Sequence, residues 1–507
     1  MFPWKRAAVA ALTVGTLVAG LTACADGADS SAGGSSTLTL GLLGPATTFA
    51  AADASWANET PYLQAVYDTV LRAEPDGTVI PGLATAWSYN EDNTTLTLTL
   101  RDDVTFTDGT AMTAEVVGQN LLRFRDGTSP NSSRLSSVQD VSAVDDTTLD
   151  VTLSQPDPAL LGYLTQNAGL VESPSAFDAA DAQTKPVGSG PYVLDDAATV
   201  VGSSYVFTKN PDYWDPESVH YDTLHLNVYT DPIALLSAIK GGQVNASQTL
   251  DDKTLPEIEA AGFTLNTLEL DWTGLILFDR AGAQTPALAD VRVRQAINYA
   301  FDKEALLKTV GQGRGTVTSQ VFPENSAGFV PELEDAYPYD PAKAKELLAE
   351  AGYSDGLTIS MPSTAALGTS LWTLIEQQLK DVGITVQNTD TGNNFVADLL
   401  AAKYSASWMR LQQDPDWALI NFQLAPDAAW NPFKYDDPAA DALIETIRTA
   451  SGDDYDTALQ ELNTYVVNQA WFAPWYRPQS IFVTDAATTV EVQAGNSYPS
   501  LWNIQPK

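Results

Sequence analysis

The chain has 507 residues, of which 44% are hydrophobic and 18% are charged, and its formal net charge at pH 7 is −38. A chain of this length is too long for one hydrophobic core, and its composition is that of a folded protein of two or three domains rather than a disordered one. Such an acidic surface repels nucleic acid and anionic lipid headgroups, which excludes nucleic-acid binding.

Residues 1–23 have the pattern of a secretory signal peptide. Lys5 and Arg6 form a positive region in front of an apolar stretch. The sequence Leu-Thr-Ala-Cys that ends at Cys24 matches the bacterial lipobox, and a plain signal peptide with a coincidental cysteine is the alternative. No other cysteine exists, so with Cys24 lipidated the mature protein would have neither a disulfide nor a thiol nucleophile. We predict a lipid anchor on Cys24 and a flexible tether over residues 24–36.

The sharpest pattern of the chain is an alternation of Thr and Leu over residues 95–100. A period of two places every leucine on one face, which predicts a half-buried antiparallel strand. Asp108 and Gly109 end the alternation that follows, and Thr113 is placed to cap a short helix. We predict that residues 66–186 form a small α+β lobe, inserted after the first strand.

Helices and strands alternate in the rest of the chain. The Gly-Ser-Gly-Pro-Tyr run within 187–192 predicts a tight turn, because the lysine and helix of a phosphate-binding loop do not follow it. Asp340 is placed as the cap of a helix that ends at Gly352. Residues 357–386 predict a strand–helix–strand unit, and a further strand is predicted near 481–483.

Six sequence blocks together resemble the family 5 extracytoplasmic solute-binding proteins, which are peptide, nickel and oligosaccharide receptors of bacterial ABC importers. They are PGLATAW and LTLTLRDDVTFTDGTAMTAEVV within 81–117, GSGPY at 188–192, KNPDYW at 209–214, VRVRQAINYAFDKEAL at 291–306 and YDPAKAKELLAEAG at 339–352. The chain departs from the family's G-E-x-D pattern at residues 242–245, where amides replace both acids.

The resemblance implies an α/β fold like that of type II periplasmic binding proteins, with two large lobes joined by a hinge and a small inserted α+β lobe. Lobe I would consist of residues 37–65, 187–275 and 478–507, the inserted lobe of residues 66–186, and lobe II of residues 276–477. In this family the solute lies between the two large lobes, which close over it by bending at the hinge.

No catalytic motif accompanies this pattern. The only histidines, His220 and His225, lie five residues apart near a predicted strand, on opposite faces, where they cannot share a metal ion. A glycosidase would need two opposed carboxylates, but a chain with 64 acidic residues contains acid pairs through composition alone. We therefore predict that the protein is not an enzyme and holds neither a cofactor nor a metal.

The candidate ligand contacts surround residues 404–417. The resemblance implies an aspartate here that pairs with the α-ammonium of a peptide, and two registers place it at Leu411, where the anchor would be missing, or at Asp414. Arg410 could pair with a carboxylate of the ligand. Aromatic candidates that could stack on sugars or pack on apolar side chains, with a core position as the alternative for each, are Trp56, Trp272, Trp408, Trp417 and Trp430.

The sequence thus predicts a monomeric substrate-binding lipoprotein of an ABC importer, anchored through Cys24 on the extracytoplasmic face of the cell membrane, which delivers a small solute to permease subunits. Peptide is the expected solute and an oligosaccharide is the alternative, whereas nickel is disfavoured because neither histidine matches a cleft position. Two other classes stay open, a secreted hydrolase and a lipoprotein sensor or chaperone. Permease and ATPase genes beside this one would distinguish the receptor from the sensor.

Overall fold

The computed structural model describes residues 36–249 and 252–507. The predicted signal peptide, Cys24 and the tether up to residue 35 lie outside the described residues. The helices are α1 Thr60–Val66, α2 Ala114–Asp126, α3 Leu160–Tyr163, α4 Pro232–Lys240, α5 Leu255–Ala260, α6 Val291–Tyr299, α7 Lys303–Thr309, α8 Pro341–Glu350, α9 Thr369–Asp381, α10 Phe395–Leu400, α11 Asp416–Leu419, α12 Pro438–Thr449 and α13 Asp453–Asn468.

The first strand begins at Thr37 and the last ends at Pro506. They are β1 Thr37–Leu42, β2 Asp68–Thr69, β3 Leu71–Ala73, β4 Val79–Pro81, β5 Ala84–Tyr89, β6 Thr95–Leu100, β7 Val138–Asp145, β8 Thr148–Leu153, β9 Leu170–Val171, β10 Tyr192–Leu194, β11 Ser204–Lys209, β12 Thr223–Val228, β13 Ala246–Thr249, β14 Thr264–Glu269, β15 Asp271–Leu277, β16 Gly315–Val317, β17 Leu357–Ser363, β18 Ile384–Asp390, β19 Ala406–Gln412, β20 Phe472–Thr484, β21 Thr488–Val490 and β22 Ile504–Pro506.

The largest sheet has ten strands, most of them in the order β10-β11-β12-β1-β13-β20-β15-β19. β1 is parallel to both of its neighbours, so that Leu40 lies opposite Leu226 on one side and Ala246 on the other. The 13-residue strand β20 pairs with β15 through its first part and with β13 and β14 through its last part. It also pairs with β16, and it therefore joins the part of the sheet that contains β13 to the part that contains β15.

The Thr-Leu alternation forms β6, as predicted, in a separate four-stranded antiparallel sheet of order β5-β6-β8-β7. Its leucines are buried and its threonines are half-buried or exposed. α2 packs on this sheet, and the predicted cap is confirmed because the Thr113 hydroxyl accepts a hydrogen bond from the Val116 backbone. The pattern of period two thus positions one face of the sheet against a helix.

The helix and the α/β unit predicted after residue 340 are also confirmed. The Asp340 side chain caps α8 through the Lys343 N–H, and Gly352 follows the helix with φ +90°, a conformation that favours glycine. β17 and β18 pair in parallel, with α9 as the crossover between them. These elements need only local signals of capping and periodicity, which the sequence carries.

Buried hydrophobic side chains form three large clusters. The first joins residues 38–67, Leu170, 192–246 and 482–504, the second lies within 70–171, and the third lies within 272–476. The lobe limits stay a prediction, which this distribution supports. In the part of the chain that the structure describes, none of the helices has both the length and the apolar character needed to cross a membrane.

Candidate functional site

Three adjoining cavities are lined by residues of the segment 410–418, and residues of 74–78 and 492–502 also line two of them. We call them the aromatic cavity, of about 300 Å³, the polar cavity, of about 940 Å³, and the acidic cavity, of about 650 Å³. The aromatic cavity shares Asp414 with the polar cavity and Asp416 with the acidic cavity. The loop between β19 and α11 therefore stands at the junction of all three.

The wall of the aromatic cavity is rich in large rings. They are Trp56, Tyr163, Trp417, Tyr455 and Trp502. Trp56 and Trp417 were predicted from the sequence to contact the ligand, and the structure brings them together here. Sequence reasoning missed the other three, because no motif distinguishes them from the many aromatic residues of the chain.

Asp414 lies between β19 and α11 and lines both the aromatic and the polar cavity. Burial raises the pKa of its carboxyl to about 6, Arg134 opposes this rise and Asp271 adds to it. None of the side-chain hydrogen bonds within the described residues involves this carboxylate. A half-buried carboxylate without a donor is suited to bind an ammonium group.

Arg134 is the cation that faces Asp414 in the same cavity, and it was not predicted from the sequence. Its Nη1 donates a hydrogen bond to the Asn167 Oδ1 at 2.8 Å, and its guanidinium lies 5.7 Å from the Tyr163 ring centroid. Burial lowers the pKa of Arg134, and Asp414 opposes that change. The two groups place opposite charges on one cavity wall without forming an ion pair.

Arg410 and Leu411 lie on β19 and line the polar cavity. Arg410 already has a partner within the protein, since its Nε is 2.6 Å from the Asp271 Oδ2. Leu411 is buried and has no charge to offer. Of the two registers, the one at Asp414 places a carboxylate on the cavity wall, and the amine-binding role of Asp414 remains a prediction.

The structure places Trp272 and Trp430 in the hydrophobic core rather than at the cavity walls. Trp272 is 0% exposed, and its Nε1 donates to the Gln423 Oε1 at 3.0 Å. Trp430 stacks on Phe278 with 6.4 Å between ring centroids. Burial against aromatic neighbours, which a single sequence does not reveal, accounts for both positions.

Trp408 lies apart from the three cavities. It packs edge-on against Trp372 and lines a separate cavity of about 220 Å³. Trp408 and Arg410 are two residues apart and share one face of β19, and both line this separate cavity.

The two histidines also lie away from the three cavities. His220 has its Nε2 3.1 Å from the Trp502 carbonyl oxygen, and His225 lies on β12. Within the ranges 36–249 and 252–507, no group of three or more His, Cys, Asp or Glu side chains is arranged to hold a metal ion.

Comparisons with known proteins agree with this architecture. A family model described as "Bacterial extracellular solute-binding proteins, family 5 Middle" matches residues 78–434. The glutathione-binding protein GsiB of Shigella flexneri serotype 5b is 28% identical over 355 residues, which are 66% of this chain and 68% of that protein. The nickel-binding periplasmic protein of Escherichia coli K12 is 29% identical over 351 residues, which are 63% of this chain and 65% of that protein.

Among solved structures, HbpA2 from Haemophilus parasuis is similar, with a TM-score of 0.82 and 21% sequence identity. The superposition covers 93% of this chain and all of that chain. At 21% sequence identity, this structural similarity shows that the two proteins have the same fold. The aligned part of the chain spans about two thirds of the length of the two curated relatives.

Proposed function

Because the chain belongs to the bacterial extracellular solute-binding proteins of family 5, we propose that it is a lipid-anchored receptor that captures a peptide for an ABC importer. Its fold is that of the type II periplasmic binding proteins, as the sequence predicted. It acts outside the cytoplasm as the substrate-binding receptor of the importer. The peptide, the anchor on Cys24 and a monomeric state are parts of the proposal.

The observation that carries the peptide is the carboxylate of Asp414. It lines a cavity with aromatic walls and has no hydrogen-bond donor within the described part of the chain. A peptide offers the complement, an α-ammonium for Asp414 and a carboxylate for Arg134. One relative is named for binding glutathione, which is a tripeptide.

An oligosaccharide is the second candidate, because the five rings of the aromatic cavity could stack on sugar faces. A sugar, however, has no cation for Asp414. Nickel, which names another relative, finds neither histidine at the three cavities. We propose that nickel is not the solute and that the protein is a binder rather than a hydrolase.

Calorimetric titration of the purified protein with a panel of tripeptides, cello- and malto-oligosaccharides and Ni²⁺ tests the proposal. We expect at least one tripeptide to bind at micromolar concentration or below, without being cleaved, as mass spectrometry of the recovered peptide would show. Binding by oligosaccharides alone would replace the peptide with a sugar. Cleavage of a bound solute would instead favour the secreted hydrolase.

Lipid attachment needs its own test. Expression of the full chain in its bacterial host should yield a membrane-associated protein that Cys24→Ala releases into the soluble fraction. Recovery of both forms in the same fraction would contradict the anchor and leave the receptor function untouched. Detection of a solute-independent protein partner, with no permease, would favour the sensor or chaperone.

A further inference from the structure

The acidic cavity has an excess of negative charge on its walls. Asp76, Glu269, Glu324 and Asp416 line it, and Arg477 is the one cation among its described lining residues. Asp76 belongs to the turn between β3 and β4, whereas Glu324 lies in the loop after β16 and Asp416 is the first residue of α11. Carboxylates therefore reach this space from separate segments of the chain.

Arg477 does not compensate for this charge, because it is already surrounded by acids. Its guanidinium, with the side chain 1% exposed, lies 2.9 Å from Glu269, 3.1 Å from Glu324 and 2.7 Å from Glu334. The ammonium group of a buried lysine, Lys303, interacts electrostatically with the carboxylate of Glu334. Even with both cations counted, the five carboxylates of this region remain in excess.

A buried carbonyl oxygen at the same cavity lacks a donor. Gln413 lines the acidic cavity and is 5% exposed. Its Nε2 donates to the Val321 carbonyl oxygen at 2.9 Å, which fixes the orientation of the amide. Its Oε1 then has no partner within the described residues. An unpaired buried acceptor is unfavourable, so a donor that enters the cavity gains a hydrogen bond there.

We propose that the acidic cavity is a second subsite of the same cleft and takes a guanidinium or alkylammonium group of the solute. Such a group brings positive charge to the excess of carboxylates, and its N–H groups include a donor for the Gln413 Oε1. The inference rests on the proposed function, because it assumes that the adjoining cavities hold one solute. Asp416 and Pro415 line both the acidic and the aromatic cavity, so a solute bound at Asp414 lies next to this space.

The solute class that follows is a peptide with a basic side chain. A polyamine has the same chemistry without a peptide backbone, and the experiment distinguishes the two. Calorimetry compares three alanine tripeptides that carry one lysine at the first, second or third position with their norleucine counterparts, and adds spermidine. Norleucine keeps the length of the lysine side chain and removes its charge.

We expect at least one lysine peptide to bind roughly tenfold more tightly than its norleucine counterpart. Glu324→Gln should reduce this preference for lysine. The double variant, which also carries Gln413→Leu, should reduce it further. The Glu324 side chain is 66% exposed, so this substitution should leave the fold intact. Glu332→Gln is the matched control, since Glu332 is an exposed acid that lies outside the acidic cavity. It should leave the preference unchanged.

Each outcome decides a different part of the argument. Equal affinity for all lysine and norleucine pairs would overturn the subsite and leave the peptide receptor standing. A preference that survives in both cavity variants would overturn the assignment to this cavity. Binding of spermidine without any peptide would keep the basic subsite and overturn the peptide. Failure of every peptide and of spermidine would overturn both proposals.

Discussion

At the scale of single residues, the amine-binding role proposed for Asp414 predicts the effect of one substitution. We expect Asp414→Asn to lower the affinity for a bound peptide by about 10- to 100-fold, since a hydrogen bond to a charged group is worth about 1.5–3 kcal/mol. Calorimetry measures the change. Asp212→Asn is the control, because Asp212 is an exposed aspartate outside the three cavities. Unchanged affinity in Asp414→Asn would favour the register at Leu411.

The raised pKa of Asp414 gives peptide binding a pH dependence. Burial raises this pKa to about 6, so the carboxylate is mostly protonated at pH 5 and mostly ionised at pH 7. An ammonium binds the ionised form, and we expect the affinity to rise roughly tenfold between these values. Titrations at pH 5, 6 and 7 check this rise. The same slope in Asp414→Asn would assign it to another group.

The stability of the ligand-free protein should depend on pH in the opposite direction. The native pKa of Asp414 lies above its ordinary value of 3.8, so the native state holds this proton more tightly than the unfolded state. The contribution of Asp414 to the free energy of unfolding therefore falls as pH rises from about 4 to about 6. Urea unfolding across this range, compared with Asp414→Asn, isolates that contribution, and identical curves would contradict it.

At the scale of elements, the sequence predicts those whose signals are local. β6, α2 and α8 follow from alternation and capping residues, and all three are confirmed. β20 shows the limit. Only a strand near 481–483 was predicted, yet β20 begins at Phe472 and passes through Pro474. A shift of register against β15 accommodates this proline, which cannot donate a ladder hydrogen bond.

The candidate site shows the same limit. Asp414, Trp56 and Trp417 were predicted and line the aromatic cavity, whereas Trp272 and Trp430 are in the core. Whether a tryptophan lies in the core or at a cavity depends on contacts with residues that are distant in the sequence. The residues next to it in the sequence do not reveal those contacts. Arg134 was missed for the same reason, because only the fold brings its 3-10 turn to the loop after β19.

β20 also contains Arg477, which pairs with Glu269 of β14 at the acidic cavity. Arg477→Met would leave Glu269 and Glu334 without their cation, and we expect it to lower the free energy of unfolding by about 3 kcal/mol. Lys240→Met, which removes an exposed ion pair with Glu257, should cost less than about 1 kcal/mol. Urea unfolding compares the two variants. Equal losses would mean that the Arg477 cluster does not stabilise this part of the sheet.

At the scale of the whole molecule, charge connects the composition with the cleft. The chain has a formal charge of −38, and the walls of the acidic cavity also carry an excess of negative charge. Basic solutes are attracted by the whole surface and by the subsite, whereas anionic solutes are repelled by both. The family membership assigns the receptor role, and the local charges of the cleft favour the kind of solute it receives.

Solute binding should stabilise the molecule and close its lobes. A ligand that binds only the native state at 100 times its Kd adds about 2.7 kcal/mol to the free energy of unfolding, which raises Tm. Closure at a hinge should also lower the radius of gyration, which small-angle X-ray scattering measures. At the same peptide concentration Asp414→Asn should show smaller changes in both, because fewer of its molecules are occupied. A rise in Tm with an unchanged radius of gyration would show that binding does not require closure of the lobes.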